Sequence, residues 1–182
     1  MAIHAIRLFG DPGLREPARD VEEFGLGLKR LAADLADTMQ AAHGAGLAAP
    51  QIGVQRRIFA FDIGEGPEFV VNPELSDPAG EFSYDEGCLS LPGIFIEIVR
   101  PDEITCRFQD LDGGHHEVRA SGLLGRVFQH ENLHLEGKLF FEDAPRSERK
   151  DAMRAIRETM QSGITSYVPD PAAHSPREEE AI

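Results

Sequence analysis

The sequence has little cysteine, little basic charge and no long apolar run. Only two of its 182 residues are cysteines, which is too few for a framework of disulfide bonds and is typical of a reducing compartment. No stretch approaches the roughly 18 uninterrupted apolar residues of a membrane-spanning helix, and the N-terminus lacks the basic start and apolar core of a signal peptide. These absences predict a soluble protein of the cytoplasm with no membrane partner.

Acidic residues outnumber basic ones by 32 to 18, which gives a formal net charge of -14. A protein with this charge repels a phosphate backbone on average, so direct binding of nucleic acid is not expected. The length fits a single domain. We predict one domain over residues 1–165 and an acidic, disordered tail over 166–182, because that segment is short of apolar residues and rich in proline.

The middle of the chain predicts strands between helices. Apolar residues recur at helical spacing from Glu22 to Ala42, which indicates an amphipathic N-terminal helix. Short runs of β-branched and aromatic residues follow, separated by NP, DPAG, RPDE and DLDGG, which are typical of turns. The last of these predicts a hairpin between strands at 103–109 and 115–120.

A second helix is predicted over 122–136, with Ser121 as its N-cap and Gly137 as its stop. It is apolar on most sides apart from a narrow polar stripe, which is typical of a central helix. A C-terminal amphipathic helix is predicted from about Ser147 to Met160. Together these elements predict an α+β fold in which antiparallel β-sheets wrap around the central helix, with an N-terminal and a C-terminal helix.

The central helix carries the segment QHENLHLEG. His130 and His134 are four residues apart and therefore lie on one face of a helix, where both imidazoles can bind one metal ion. Glu131 lies beside that face, where its carboxylate can take a proton from water without binding the metal. A shuffled chain of this composition would contain the H-E-x-x-H pattern roughly three times in a hundred, so the pattern needs further support.

A catalytic metal site of this type needs a third protein ligand. Cys88 is our candidate, because it stands in the loop-like segment DEGCLSLPG between a glycine and a proline. Cys106 lies in EITCRFQD, which indicates a strand, and free cysteines in strands are most often small core residues.

Three separated segments now match one family. GAGLAAPQIG (44–53), EGCLSLPG (86–93) and QHENLHLEG (129–137) occur in the order and at the spacing of peptide deformylases, and the chain resembles that family over about residues 7–160. The resemblance implies an enzyme that removes the formyl group from N-formylmethionine at the start of newly made polypeptides. It also leaves open a transient contact with the ribosome.

The resemblance implies a role for each matching residue. Cys88, His130 and His134 would hold one divalent metal ion, which is Fe²⁺ in the cell and is often replaced by Zn²⁺ or Ni²⁺ on isolation. Glu131 would act as general base and acid on a water that the metal activates. The side chain of Gln51 and the backbone N–H of Leu89 would stabilise the oxyanion, and Gly46 would bind the substrate backbone.

Two departures from the family pattern affect the expected activity. Leu133 stands where an aspartate usually precedes the second histidine, so another group must orient the imidazoles. Phe95 and Ile96 stand where a cationic or small rim is usual. We therefore expect deformylation at reduced efficiency. Two alternatives remain at this point: a zinc peptidase, and a deformylase-like paralogue with an altered substrate or only a binding role.

Overall fold

The computed structural model describes residues 2–160 and 163–172, which form an α+β fold. The helices in this part of the chain are α1 (Leu26–Ala41), α2 (Gly122–Leu135) and α3 (Arg146–Met160). The strands in the same part are β1 (Ile6–Arg7), β2 (Gly46–Ala48), β3 (Ile58–Phe61), β4 (Glu68–Ala79), β5 (Phe82–Glu86), β6 (Ile96–Arg100), β7 (Glu103–Gln109), β8 (His115–Ala120) and β9 (Ser166–Tyr167). Among the described helices, none combines the length and the apolarity needed to cross a membrane.

The strands form antiparallel sheets, as predicted. The largest has the order β2-β3-β4-β7-β8, and the pairs β5-β6 and β1-β9 form two smaller sheets. The hairpin between β7 and β8 has the predicted limits, with Gln109 paired to His115 next to its turn. A central helix between antiparallel sheets is therefore confirmed.

The largest sheet carries a helix on each face, which explains the composition of β3. Side chains alternate between the faces of a strand, so Ile58 and Ala60 pack toward α1, whereas Phe59 and Phe61 pack toward α2. The ring of Phe128 on α2 lies 5.6 Å from that of Phe59 and 5.0 Å from that of Phe61, centroid to centroid. Because both faces are covered, β3 is a continuous apolar run.

A third apolar cluster joins the β5-β6 hairpin to α3. It contains Cys88, Ile96 and Ile98 together with Phe140 and Ile156. Ile96 alternates with exposed residues along β6 and is buried. Its predicted place on the substrate rim is therefore wrong, because the pleat of β6 turns this side chain into the core.

Helix α2 ends one residue before the predicted limit. Gly137 follows it with φ 72°, a left-handed conformation that glycine adopts at little cost. Ser121 occupies the N-cap position, but its side chain makes no capping hydrogen bond. The Gly122 N–H instead donates to Asp102 Oδ1 at 3.0 Å. The capping group therefore comes from the loop between β6 and β7 and could not be identified from the sequence around the helix.

Two segments predicted as turns lie inside β4. Asn72 of NP and Asp77 of DPAG have φ values of 50° and 51°, and the register against β7 shifts at both places. A proline donates no hydrogen bond to the ladder, and an extra residue is accommodated as a bulge that bends the strand without ending it. The turn prediction at these two places is therefore wrong.

The two ends of the chain also differ from expectation. Helix α1 begins at Leu26, four residues after Glu22, with Gly25 as its N-cap. Ser166 and Tyr167 pair with β1, so regular structure continues past the predicted start of the tail at 166. The acidic end PREEEAI lies outside the described residues.

Candidate active site

The three predicted ligands meet in the interior. One ligand atom from each of Cys88, His130 and His134 lies within 4.8 Å of the others. Cys88 Sγ is 3.2 Å from His134 Nε2, and the two imidazole centroids are 5.2 Å apart. Helix α2 places the histidines one turn apart on one face, and the segment that follows β5 brings the cysteine to them. Cys106 is buried in β7 and is not part of the group, as predicted.

His130 is oriented by a carboxylate that sequence reasoning missed. Its Nδ1 lies 3.2 Å from Oε2 of Glu86. A carboxylate only accepts hydrogen bonds, so Nδ1 carries the proton and Nε2 is left to bind a metal. The Phe140 ring packs against the imidazole at 5.5 Å between centroids. An acceptor on the far nitrogen of a ligand histidine fixes both its tautomer and its ring orientation.

Glu86 is itself held by two buried cations. Its Oε1 accepts hydrogen bonds at 2.6 Å from Arg100 Nε and from Arg126 Nη1. Arg100 also donates to Asp143 at 2.7 Å. Burial alone would raise the pKa of Glu86, but its hydrogen bonds and charge interactions with His130 and Arg100 outweigh burial and lower the pKa to about 2. The carboxylate is therefore charged over the whole neutral range.

Only a weak signal in the sequence pointed to this network. Arg126 belongs to the narrow polar stripe of α2, yet its side chain is fully buried, and its guanidinium lies 5.3 Å from the Phe82 ring centroid. Glu86 lies two residues before Cys88 in the second motif, which is the one feature that could have drawn attention to it.

The donor set fits a divalent metal ion. Burial lowers the pKa of His134 well below its usual range, and the neighbouring His130 adds to this effect, so the His134 imidazole is available in the neutral form that binds metals. Burial raises the pKa of the Cys88 thiol. A cation placed beside the sulfur reverses that preference by stabilising the thiolate. One soft sulfur and two imidazoles suit zinc and ferrous iron alike.

Glu131 lies at the interface between α2 and β2. Its side chain is fully buried, and Oε2 has no protein hydrogen-bond partner among the described residues. Burial raises its pKa well above the usual range, partly opposed by a hydrogen bond from the Ala48 backbone and reinforced by the charge of Glu86. Gly46 of β2 lies directly against the carboxylate. A carboxylate in these surroundings is suited to proton transfer.

Gln51 points toward the same group. Its Oε1 accepts a hydrogen bond from the Ala48 N–H at 2.8 Å, which fixes the amide orientation. Its Nε2 therefore faces Ser90 Oγ at 3.2 Å and Cys88 Sγ at 3.8 Å. Leu89 lies between those two residues in the chain. All seven predicted site residues are thus in one region, and Ser90 is a further neighbour that sequence reasoning missed.

The two remaining departures lie at the edge of this region. Phe95 packs on the residue before the cysteine, since a β-carbon built on Gly87 would lie 2.6 Å from Phe95 Cε1. Leu133 is only partly buried, in contrast to the fully buried His134 that follows it.

Comparison with known proteins connects this arrangement to one family. The sequence model described as polypeptide deformylase matches residues 3–150. A peptide deformylase of Acidothermus cellulolyticus is 45% identical over 168 residues, covering 92% of this chain and 93% of that protein. The crystal structure of a Thermus thermophilus peptide deformylase has a TM-score of 0.83 at 42% identity, covering 88% of this chain and 96% of that one. The Legionella pneumophila structure also has a TM-score of 0.83, at 38% identity, with coverages of 89% and 98%.

Proposed function

This chain belongs to the peptide deformylase family, whose enzymes remove the N-formyl group from nascent peptides, and from that premise we propose how its own residues carry out the hydrolysis. Cys88, His130 and His134 hold one divalent metal ion. The observation that supports this proposal best is the buried group of three ligand atoms within 4.8 Å of one another. Neither the zinc-peptidase hypothesis nor the binding-only hypothesis is favoured by the relatives.

A bound metal would supply Lewis acidity, which lowers the pKa of water and polarises a carbonyl oxygen. We propose Fe²⁺ as the ion in the cell, with Zn²⁺ or Ni²⁺ replacing it on isolation. The thiol of Cys88 would lose its proton on metal binding, and Glu86 would keep Nε2 of His130 unprotonated for the metal.

Glu131 moves the proton. Its carboxylate takes a proton from the water that adds to the formyl carbon and gives it to the amine nitrogen as the C–N bond breaks, leaving formate and a free amino terminus. Burial raises the pKa of Glu131, which makes its carboxylate a stronger base and supports a role in proton transfer.

Gln51 and Leu89 stabilise the charge that develops on the formyl oxygen. The Gln51 amide is already oriented by Ala48, so its donor needs no reorganisation during the reaction. The Leu89 backbone N–H is the second donor in this proposal. The backbone of Gly46 binds the peptide, since β2 is an edge strand of the largest sheet and can pair with an extended chain.

We propose the cytoplasm as the place of action, because the substrates are nascent chains. A transient contact with the ribosome would bring the enzyme to them, and cosedimentation with ribosomes tests that contact.

The central test is formate release from formyl-Met-Ala-Ser by anaerobically purified protein, with metal analysis of the same sample. We expect one metal per chain and one formate per peptide cleaved. A protein that contains Fe²⁺ or Zn²⁺ but releases no formate would refute the catalytic proposal and favour the binding-only hypothesis. Cleavage of an unformylated internal peptide bond would instead favour the peptidase hypothesis.

A further inference from the structure

Strand β2 lies between two helices, and its small residues face α2. Leu47 belongs to the cluster on the α1 side, whereas Ala48 belongs to the cluster on the α2 side. Side chains alternate along a strand, so Gly46 faces α2 together with Ala48. Glu131 lies on the part of α2 that meets this face.

Glu131 occupies the space that a side chain at position 46 would need. A β-carbon built on Gly46 would lie 2.4 Å from Oε1, 2.8 Å from Cδ and 2.9 Å from Cγ of Glu131. A β-carbon essentially never lies within 3.0 Å of another non-bonded heavy atom, because dispersion attraction is optimal at about 3.5–4.0 Å and repulsion dominates at shorter distances. The smallest possible side chain at position 46 would therefore have to displace the carboxylate.

The backbone itself does not require glycine here. Gly46 does not have a positive φ, and it pairs with Phe61 in regular antiparallel register. Any L-residue can adopt such a conformation. The contact with Glu131, and not a special backbone geometry, is thus what excludes a side chain.

Glu131 has few other groups to fix its position. Its Oε2 has no protein hydrogen-bond partner in the part of the chain that the structure describes, although the side chain is fully buried. Apart from the hydrogen bond from the Ala48 backbone, this side chain is held by the atoms that pack around it, as is usual in a close-packed interior.

We propose that the Glu131 carboxylate is held in position by occupying the space that a side chain at Gly46 would fill, and we call this space the seat. Gly46 is then a positioning residue in addition to a backbone partner for the peptide. The catalytic consequence rests on the proposed role of Glu131 in proton transfer. The seat itself is a statement about packing and can be tested without activity.

The first test is Gly46→Ala, which keeps the backbone N–H and C=O at position 46. We expect kcat for formyl-Met-Ala-Ser to fall about 100-fold, since a displacement of about 1 Å of a catalytic group has that effect. KM should change less than about threefold, and metal content should not change, because the backbone groups and the three ligands are intact. An unchanged kcat would overturn the proposal, since it would show that Gly46 acts through its backbone alone.

The second test is a double-mutant cycle on the thermal stability of the metal-free protein. Gly46→Ala should lower Tm by roughly 2–10 °C in the wild-type background, as overpacking does in a protein of this size. In the Glu131→Ala background the carboxylate is gone, so the same substitution should change Tm by less than about 2 °C or raise it. Equal losses in the two backgrounds, or no loss in either, would overturn the seat.

The cycle also covers a variant that does not fold. If Gly46→Ala fails to fold but Gly46→Ala with Glu131→Ala folds, the seat is supported, and if both fail it is overturned. Gly27→Ala is the matched control, because a β-carbon there meets nothing within 4 Å, and we expect it to leave kcat unchanged. Turnover of Glu131→Ala alone tests the role of the carboxylate, so failure of that role and failure of the seat give different results.

Discussion

Glu86→Gln is the substitution that tests most directly whether a buried carboxylate supports the metal site. It keeps the size of the side chain and one acceptor oxygen, but it removes a negative charge that lies between Arg100, Arg126 and His130. The expected result is a less stable protein with a weaker metal site. The two effects arise from different partners of the same carboxylate.

Glu86→Gln should lower the free energy of unfolding because Arg126 loses its carboxylate partner. Arg100 keeps Asp143 at 2.7 Å, whereas no carboxylate other than Glu86 forms an ion pair with Arg126 among the described residues. Removing one partner of a buried ion pair costs about 3–5 kcal/mol. Because glutamine still offers Arg126 an acceptor, we expect the lower end, about 3 kcal/mol, which corresponds to a fall in Tm of roughly 6–12 °C for a protein of this size.

The pH dependence of this difference has a defined sign. The pKa of Glu86 is lowered from 4.5 to about 2 on folding, so its contribution to the free energy of unfolding is fully present above pH 4.5. That contribution is lost as the pH falls from 4.5 toward 2. The stability gap between wild type and Glu86→Gln should therefore be constant near neutral pH and become smaller in acid.

The measurement is urea unfolding of the metal-free proteins at several pH values, together with metal affinity at neutral pH. Metal affinity should fall about 10–100-fold, as is typical when the group that orients a ligand histidine is changed. Glu117→Gln is the matched control, since Glu117 pairs with Arg107 at 2.5 Å on the surface, where such a pair contributes about 0–1 kcal/mol. If Glu86→Gln were as mild as this control in both stability and metal affinity, the argument for a supporting network would be refuted.

Three further predictions concern the site and its departures from the family. Glu131→Ala should keep the metal and lower kcat by about 10²–10⁴-fold, because general acid–base groups contribute that much; formate release and metal content of one sample test this. Cys88→Ala should lose the metal, because two imidazoles remain as ligands, and full retention of metal and activity would remove Cys88 from the ligand set. Leu133→Asp and Phe95→Arg should each change kcat/KM on formyl-Met-Ala-Ser, by up to about 10–100-fold, at constant metal content. Values within experimental error of wild type for both would identify these departures as neutral.

Local sequence patterns predicted the elements whose signal is itself local. Helix α2 and the β7-β8 hairpin were predicted almost to the residue, because apolar periodicity and the DLDGG turn are encoded within the segments themselves. The bulges at Asn72 and Asp77 were missed, since the same residues that form turns also form bulges when a partner strand continues alongside. Pairing with β7 decides whether these residues form a turn or a bulge, and the sequence of β4 alone does not reveal that pairing.

The metal ligands could be predicted from the sequence more readily than the buried ion pair that supports them. His130 and His134 are related by helical spacing, and Cys88 stands in a motif, so each carries a local signal. Arg126 looks like an ordinary polar residue of α2, and its burial depends on Glu86, which is 40 residues earlier in the chain. A charged residue is buried only where the fold supplies its partner, and that partner is a property of the tertiary structure.

The two imidazoles are held by different interactions, and this bears on whether Leu133 weakens the site by replacing an aspartate. The sequence suggested that without an aspartate at this position another group must orient the histidines. For His130 that group is Glu86, at 3.2 Å from Nδ1. His134 Nδ1 is buried with no protein partner among the described residues, and its ring packs edge-on against His130. In a close-packed interior such a ring is held by its neighbours, so charge fixes one ligand and packing fixes the other, and neither arrangement requires an aspartate at position 133.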